Sequence, residues 1–273
     1  MKGSRMRHVG LFFLMVSCLC GCVATFPRRQ DEPGPAISAR VQDELQQVLD
    51  SLDADVDSLA KVLSGIGLAG GAAESAMAEV CRKHSCVFQC FAADADGRVA
   101  AVFPGSHGQQ VGVSVKDLEH VKRLQAVAKP VMSEALRPFL GIPDVDIRWP
   151  VFDRKGVLIG SVGSLVKPAH FMGPVIQVDV EDMAWECRVI QKDGEMLYAR
   201  DPAEIGRNLF SDPLYGAGPE LGDLGRRIVA EPSGAGSYRF LRTQLGIPAT
   251  REARWSTIGL HGTEWRVVLI RLK

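Results

Sequence analysis

The stretch Lys192-Asp193-Gly194-Glu195-Met196-Leu197-Tyr198-Ala199-Arg200-Asp201-Pro202, continuing Glu204-Ile205-Gly206-Arg207-Asn208-Leu209-Phe210-Ser211-Asp212-Pro213-Leu214-Tyr215, decides the fold. Asp193-Gly194 sits between two apolar-rich runs, Trp185 to Gln191 and Glu195 to Ala199. An Asp-Gly pair flanked in this way is a strong short-range signal for a β-hairpin. Downstream, 218–230 reads as a short helix. Three strands then follow: Gly236 to Leu241, Arg251 to Leu260, and Glu264 to Leu272 after a His261-Gly262 turn.

Toward the N-terminus the same plan occurs in larger form. Val87 to Ala92 and Arg98 to Phe103 flank Asp94-Ala95-Asp96-Gly97, a second hairpin. Residues 116–139 read as helical, divided by Pro130. Asp144 to Asp153 and Val157 to Val166 are strands joined at Asp153-Arg154-Lys155-Gly156, and Pro168 opens a helix or linker reaching about 180. Ahead of both units, Leu45, Leu49, Leu52, Val56, Leu59, Leu63 and Ile66 recur at a period of 3.5, ended by Gly65, Gly67, Gly70 and Gly71. That stripe suits packing on its own domain or a homodimer seam through helix 40–66, and both readings stay open. Without βαβ alternation, the pattern is α+β: a long N-terminal helix followed by two units with antiparallel sheets. No Rossmann or P-loop glycine pattern is present.

The 192–215 stretch closely resembles the second module of a double Cache domain. Trp149-Pro150-Val151-Phe152-Asp153-Arg154-Lys155-Gly156-Val157-Leu158-Ile159-Gly160 resembles the strand–turn–strand that closes the pocket of the first. The final Glu264-Trp265-Arg266-Val267-Val268-Leu269 strand also fits. The resemblance implies PAS-like extracytoplasmic sensor modules, the larger over 37–178 and the smaller over 179–273, with small metabolites bound in the membrane-distal one. Relatives that bind amino acids place an acid just after the closing strand to hold the ligand ammonium. Here Ser164 stands at that place, which favours a small organic acid over an α-amino acid.

Alternation along Asp144 to Asp153 puts Val145, Ile147, Trp149 and Val151 on one face, with Asp146, Arg148, Pro150 and Phe152 on the other. If the second face lines the pocket, Arg148 offers a bidentate contact to a carboxylate, with Phe152, Phe103 and Phe139 as apolar walls. If the first face does, Trp149 is the wall. Tyr198, Asp201 and Asn208 suit a turn better than a ligand site.

The N-terminus carries a different signal. Lys2, Arg5 and Arg7 precede an apolar run, Val9 to Val16, too short to span about 30 Å of hydrocarbon. Leu19-Cys20-Gly21-Cys22 resembles a bacterial lipobox, which implies removal of 1–21 and lipid on Cys22, with 22–36 as a proline-rich tether. The expected location is the cell envelope, facing the periplasm. Val23 rather than Asp after the cysteine favours the outer membrane over the inner. Losing Lys2, Arg5 and Arg7 turns 32 basic side chains into 29 against 32 acids, a formal charge near −3. That balance gives no electrostatic footprint for nucleic acid.

Cys81, Cys86, Cys90 and Cys187 remain in the folded part. Their spacing matches no zinc pattern, even with His84 between two of them. A Cys81–Cys86 disulfide is the expected local bridge, and buried free thiols are the alternative. No nucleophile–base–orienter constellation or cofactor motif appears, so catalysis is not expected. Two readings of function remain. The first is a lipid-anchored sensor-type module, without an output domain of its own, reporting to a membrane signalling or transport partner. The second is a structural lipoprotein that docks in an envelope complex.

Overall fold

The structure is a computed structural model and describes residues 33–136, 143–180, 185–215, 219–242 and 247–273. The segment expected to be a signal peptide, Cys22, Phe139 and nearly all of the expected tether lie outside the described residues.

Helix α1 (Gly34–Ile66) is 33 residues long and ends at Gly67, whose N–H bonds Leu63 O at 2.8 Å. It begins within the segment expected to be tether, and its buried stripe starts at Ile37 and Val41. Helix α2 (Gly71–Lys83) leads into strands β1 (Val87–Asp94) and β2 (Val99–Phe103). Helix α3 (Glu119–Val127) and strands β3 (Val131–Met132), β4 (Val145–Phe152) and β5 (Leu158–Val166) complete the first unit. Helix α4 (Pro168–Val180) crosses to the second, made of β6 (Trp185–Gln191), β7 (Met196–Tyr198), α5 (Pro219–Ala230), β8 (Gly234–Arg242), β9 (Ile247–Leu260) and β10 (Thr263–Leu272). Both sheets are antiparallel and share one topology: β2-β1-β5-β4-β3 and β7-β6-β10-β9-β8. The α+β expectation with two sheets holds.

Each sheet is sandwiched. Helix α1 runs along one face of both sheets, where Leu45, Leu49, Leu52, Val56, Leu59 and Leu63 bury in a core shared with Val145, Ile147, Val151, Val189, Trp265, Val267 and Leu269. Four of these leucines have no exposed surface, and burying each contributes about 1.5–3 kcal/mol. The stripe is therefore filled by the chain's own sheets, and a homodimer through helix 40–66 would have to use another face. Its last member, Ile66, stays 47% exposed. Opposite α1, the first sheet is covered by α3 and a 3-10 turn at Gly105–Gln110, and the second by α5. Among the described residues no helix is long and apolar enough to cross a membrane.

Two local expectations are corrected. The helix foreseen over 116–139 stops at Val127, because Ala128 turns left-handed (φ 49°) and Pro130 follows. The chain then extends as β3 to pair with β4 at Val131↔Arg148. The thiol facing Cys81 is Cys90, not Cys86, with the sulfurs 3.3 Å apart. The reason is that α2 lies across β1, so one turn of helix meets the middle of the strand.

Candidate functional site

The 192–215 stretch acts as a clasp. Gly194 (φ 93°) makes the turn, Asp193 Oδ1 accepts from Glu195 N at 2.9 Å, and Asn208 Nδ2 donates to Asp193 O at 2.9 Å. Asp201 accepts from Ala203 N at 2.9 Å and starts a short 3-10 turn. Asp193, Asn208 and Asp201 thus shape the backbone.

Strand β4 divides as its alternation requires. Val145, Ile147 and Val151 enter the core against α1. Trp149 lies on the same side, where its indole Nε1 donates to Asp53 Oδ1 of α1 at 2.7 Å. Trp149 is therefore taken up in packing against the helix. Ser164 also faces that side: it pairs with Ile147 and Cys90 across the sheet, and its Oγ lies 3.3 Å from Cys90 Sγ. Phe103, paired with Cys90, packs against the same core. Phe152 is half-buried at the end of β4, past a register shift after Val151.

Arg148 lies on the opposite face with Asp146, and neither has any exposed surface. Arg148 Nε donates to Asp146 Oδ2 at 2.8 Å and Nη1 donates to Ser161 Oγ at 2.9 Å. The guanidinium sits 4.0 Å from the centroid of the Phe91 ring. His120 of α3 donates from Nε2 to Asp146 Oδ2 at 2.9 Å, and Ser133 Oγ accepts from the Asp146 backbone N–H at 2.9 Å. Burial alone would raise the Asp146 carboxyl, but the Arg148 charge and the His120 hydrogen bond outweigh it and hold it below its ordinary value. Gly163 stands across from Arg148, where a Cβ would lie 2.6 Å from Arg148 Nη2, so only glycine lets the two side chains fold flat over β5. Two atoms of this cluster, Asp146 Oδ1 and Arg148 Nη2, are buried without a hydrogen-bond partner. The sequence put Asp146 on this face but gave it no role. The signal was there, as opposite charges two residues apart on one strand.

A family model for the HK/GC/chemotaxis protein-like sensor domain matches residues 47–168. No curated protein sequence matches the chain. An extracellular ligand binding receptor from Desulfohalobium retbaense superposes with a TM-score of 0.73 at 29% identity, over 87% of this chain and 40% of its own. The chain thus has the double Cache fold of such extracellular domains, two PAS-like modules behind one long helix. It spans less than half of that receptor, yet it matches nearly whole ligand-binding domains elsewhere. The ligand binding domain of the Pseudomonas aeruginosa amino acid chemoreceptor PctB, in complex with L-Gln, aligns at a TM-score of 0.62 and 14% identity, over 88% of this chain and 89% of its own. That of PctC from the same organism, in complex with GABA, aligns at 0.61 and 16%, over 86% and 97%.

The second module is built differently on the equivalent face. Under α5 it has a partly open cavity of about 420 Å³ with mainly apolar walls. At its polar side Arg188 Nη2 pairs with Glu186 Oε1 at 2.8 Å and Glu204 Oε1 at 3.1 Å, while Tyr215 OH donates to Glu204 Oε2 at 2.8 Å. Burial pushes the Tyr215 hydroxyl well above its ordinary value, and the Glu204 carboxylate pushes the same way. None of these side chains was singled out from sequence as a ligand group. They come from separate elements and form no motif.

Proposed function

We propose that this Cache chain is the ligand-binding domain of a lipid-anchored, periplasm-facing sensor that passes its signal to a membrane partner, and that a small carboxylate-bearing metabolite is recognised at Asp146 and Arg148. One observation carries the reading: Arg148 Nη2 and Asp146 Oδ1, side by side over Gly163, are buried without partners. Such atoms are rare because each forfeits its hydration, and a ligand that supplies an acceptor and a donor together removes both penalties. A carboxylate would meet Arg148 Nη2, and a hydroxyl or ammonium on the same molecule would meet Asp146 Oδ1. The L-Gln and GABA held by PctB and PctC are of that chemistry. Arg148 has given two of its nitrogens to Asp146 and Ser161, so the bidentate grip expected from sequence reduces to a single donor. Because the pair is sealed, binding requires α3 with His120 to move aside, which lowers apparent affinity by the fraction of open molecules.

Calorimetric titration of the purified chain with hydroxy acids and amino acids tests this. Arg148→Lys keeps a positive charge beside Asp146 but removes Nη2, and should weaken binding about 10-fold or more. Unchanged affinity would take Arg148 out of the site. A docking lipoprotein without a ligand is the second reading, favoured by the complete burial of the pair. The absence of any binding across the panel would select it.

A further inference from the structure

We infer that the cavity of the second module is a separate binding site for an amphipathic monoanion, with an apolar body held under α5 and a carboxylate on Arg251. Ile190 of β6, Met196 of β7, Leu224 and Ile228 of α5, and Val268 and Ile270 of β10 provide its walls. A concave, mainly apolar pocket with a few polar groups at its rim is the usual form of a small-molecule site. At about 420 Å³ this one has room for on the order of ten non-hydrogen groups of roughly water size. An apolar chamber holds water poorly, so its natural filling is an apolar body.

The fold does not force the void. On the equivalent face of the first module, Asp146, Arg148 and His120 fill the space between sheet and helix. In the second module that layer is replaced by the side chains of one hydrophobic cluster, which line the cavity.

The polar side sets the charge of the ligand. Three arginines line the cavity against one carboxylate, Glu204. Arg188 is held by Glu186 and Glu204, and Arg239 Nε donates to Glu220 Oε1 at 2.7 Å. Arg251 is the least committed: among the described residues its ion-pair partner is Glu186 at 3.4 Å, and its guanidinium lies over the Phe240 ring, 4.6 Å from the centroid. Its side chain is 29% exposed, so the anionic end of a ligand can meet it at the rim while the body is buried.

The test is calorimetric titration of the full chain with octanoate, 1-octanol and succinate. Octanoate should bind, 1-octanol should bind roughly 10- to 100-fold more weakly, and succinate should not bind here because it has no apolar body. Arg251→Gln should weaken octanoate by the same factor and leave 1-octanol unchanged. Leu224→Trp, which fills the chamber, should abolish octanoate binding without lowering the melting temperature. Arg148→Lys should leave octanoate unaffected, which separates this site from the one in the first module. The inference is overturned if octanoate fails to bind, if Arg251→Gln leaves it unchanged, or if Leu224→Trp folds and still binds it.

Discussion

Trp149 and His261 meet on a single oxygen: Trp149 Nε1 and His261 Nε2 each lie 2.7 Å from Asp53 Oδ1, and their rings pack edge-on with centroids 5.8 Å apart. One belongs to the first sheet, the other to the β9–β10 turn of the second, and the carboxylate comes from α1. Further bonds cross between the modules nearby. Thr263 Oγ1 donates to Met132 O at 2.7 Å, and Ala135 N donates to Gln191 Oε1 at 2.7 Å. The two modules are thus fastened together through the middle of the long helix.

Asp53→Ala should accordingly cost about 2–4 kcal/mol, since two hydrogen bonds to a charged group are lost in a largely enclosed place. Asp53→Asn keeps an acceptor for Trp149 and should cost less. Urea unfolding of both variants measures the difference, and equal stability of all three proteins would show that the junction is held elsewhere.

Arg148→Ala should be far more damaging than a substitution on a solvated strand face. It leaves Asp146 buried with its countercharge gone, a change worth about 3–5 kcal/mol. Replacing both, as Asp146→Asn with Arg148→Met, removes the charges together and should recover part of the loss. A thermodynamic cycle over these variants gives the coupling, and additive costs would contradict the geometry.

Much of this fold could be read in advance because its signals are local. The turns at Asp94 to Gly97, Asp153 to Gly156 and Asp193-Gly194 announce their hairpins, and the leucine period announces α1. What could not be read is which side of each sheet α1 takes. Alternation separates Trp149 from Arg148 but does not say which faces a helix, and Trp149 suits either place with its apolar body and polar tip. Ser164 follows the same ambiguity, because its side of β5 is set by register with β1 and β4. The stripe shows that α1 buries a face, not that its own two sheets fill it. The second-module cavity is defined by residues scattered from Arg188 to Ile270, whose proximity exists only once the sheet has formed.

Cys81 and Cys90 should be the pair that joins on oxidation. Their sulfurs are 3.3 Å apart, and Cys81 is the partly exposed one. Its hydrogen bond from Cys90 lowers its pKa against the effect of burial, whereas burial pushes Cys86 up to about 11 and Cys187 higher still. Peptide mapping after treatment with oxidised glutathione should therefore yield Cys81–Cys90, and brief alkylation of the reduced protein should mark Cys81 first. A Cys81–Cys86 peptide as the main product would show that α2 sits differently on β1.

Cys22→Ser should abolish lipid attachment and release the protein from the membrane fraction or leave it as precursor. The reading rests on Leu19-Cys20-Gly21-Cys22 after a short apolar run, and two or more acyl chains are needed for stable anchoring. Radioactive palmitate supplied to cells gives the readout, and label persisting on the variant would remove the assignment.

Asp144 should make the protein less stable as pH rises from about 4 to 6. It is only 6% exposed, its Oδ1 has no partner, and burial raises its pKa to about 6 although the Lys167 charge works against the rise. In the unfolded chain it titrates near the ordinary aspartate value of about 3.9. Between those values the native state keeps a proton that the unfolded state has released, so stability falls across the window and the loss is complete above it. Glu134, also raised by burial, acts in the same direction, whereas Asp146, held low, contributes stability that is lost only as pH falls further. Asp144→Asn isolates the effect. It should raise stability at pH 7 by up to about 3 kcal/mol, from roughly two pH units at 1.36 kcal/mol each, and should flatten the profile between pH 4 and 6. Chemical denaturation at several pH values is the measurement, and a variant no more stable than the parent at pH 7 would mean that Asp144 gains a partner or solvent in the folded protein.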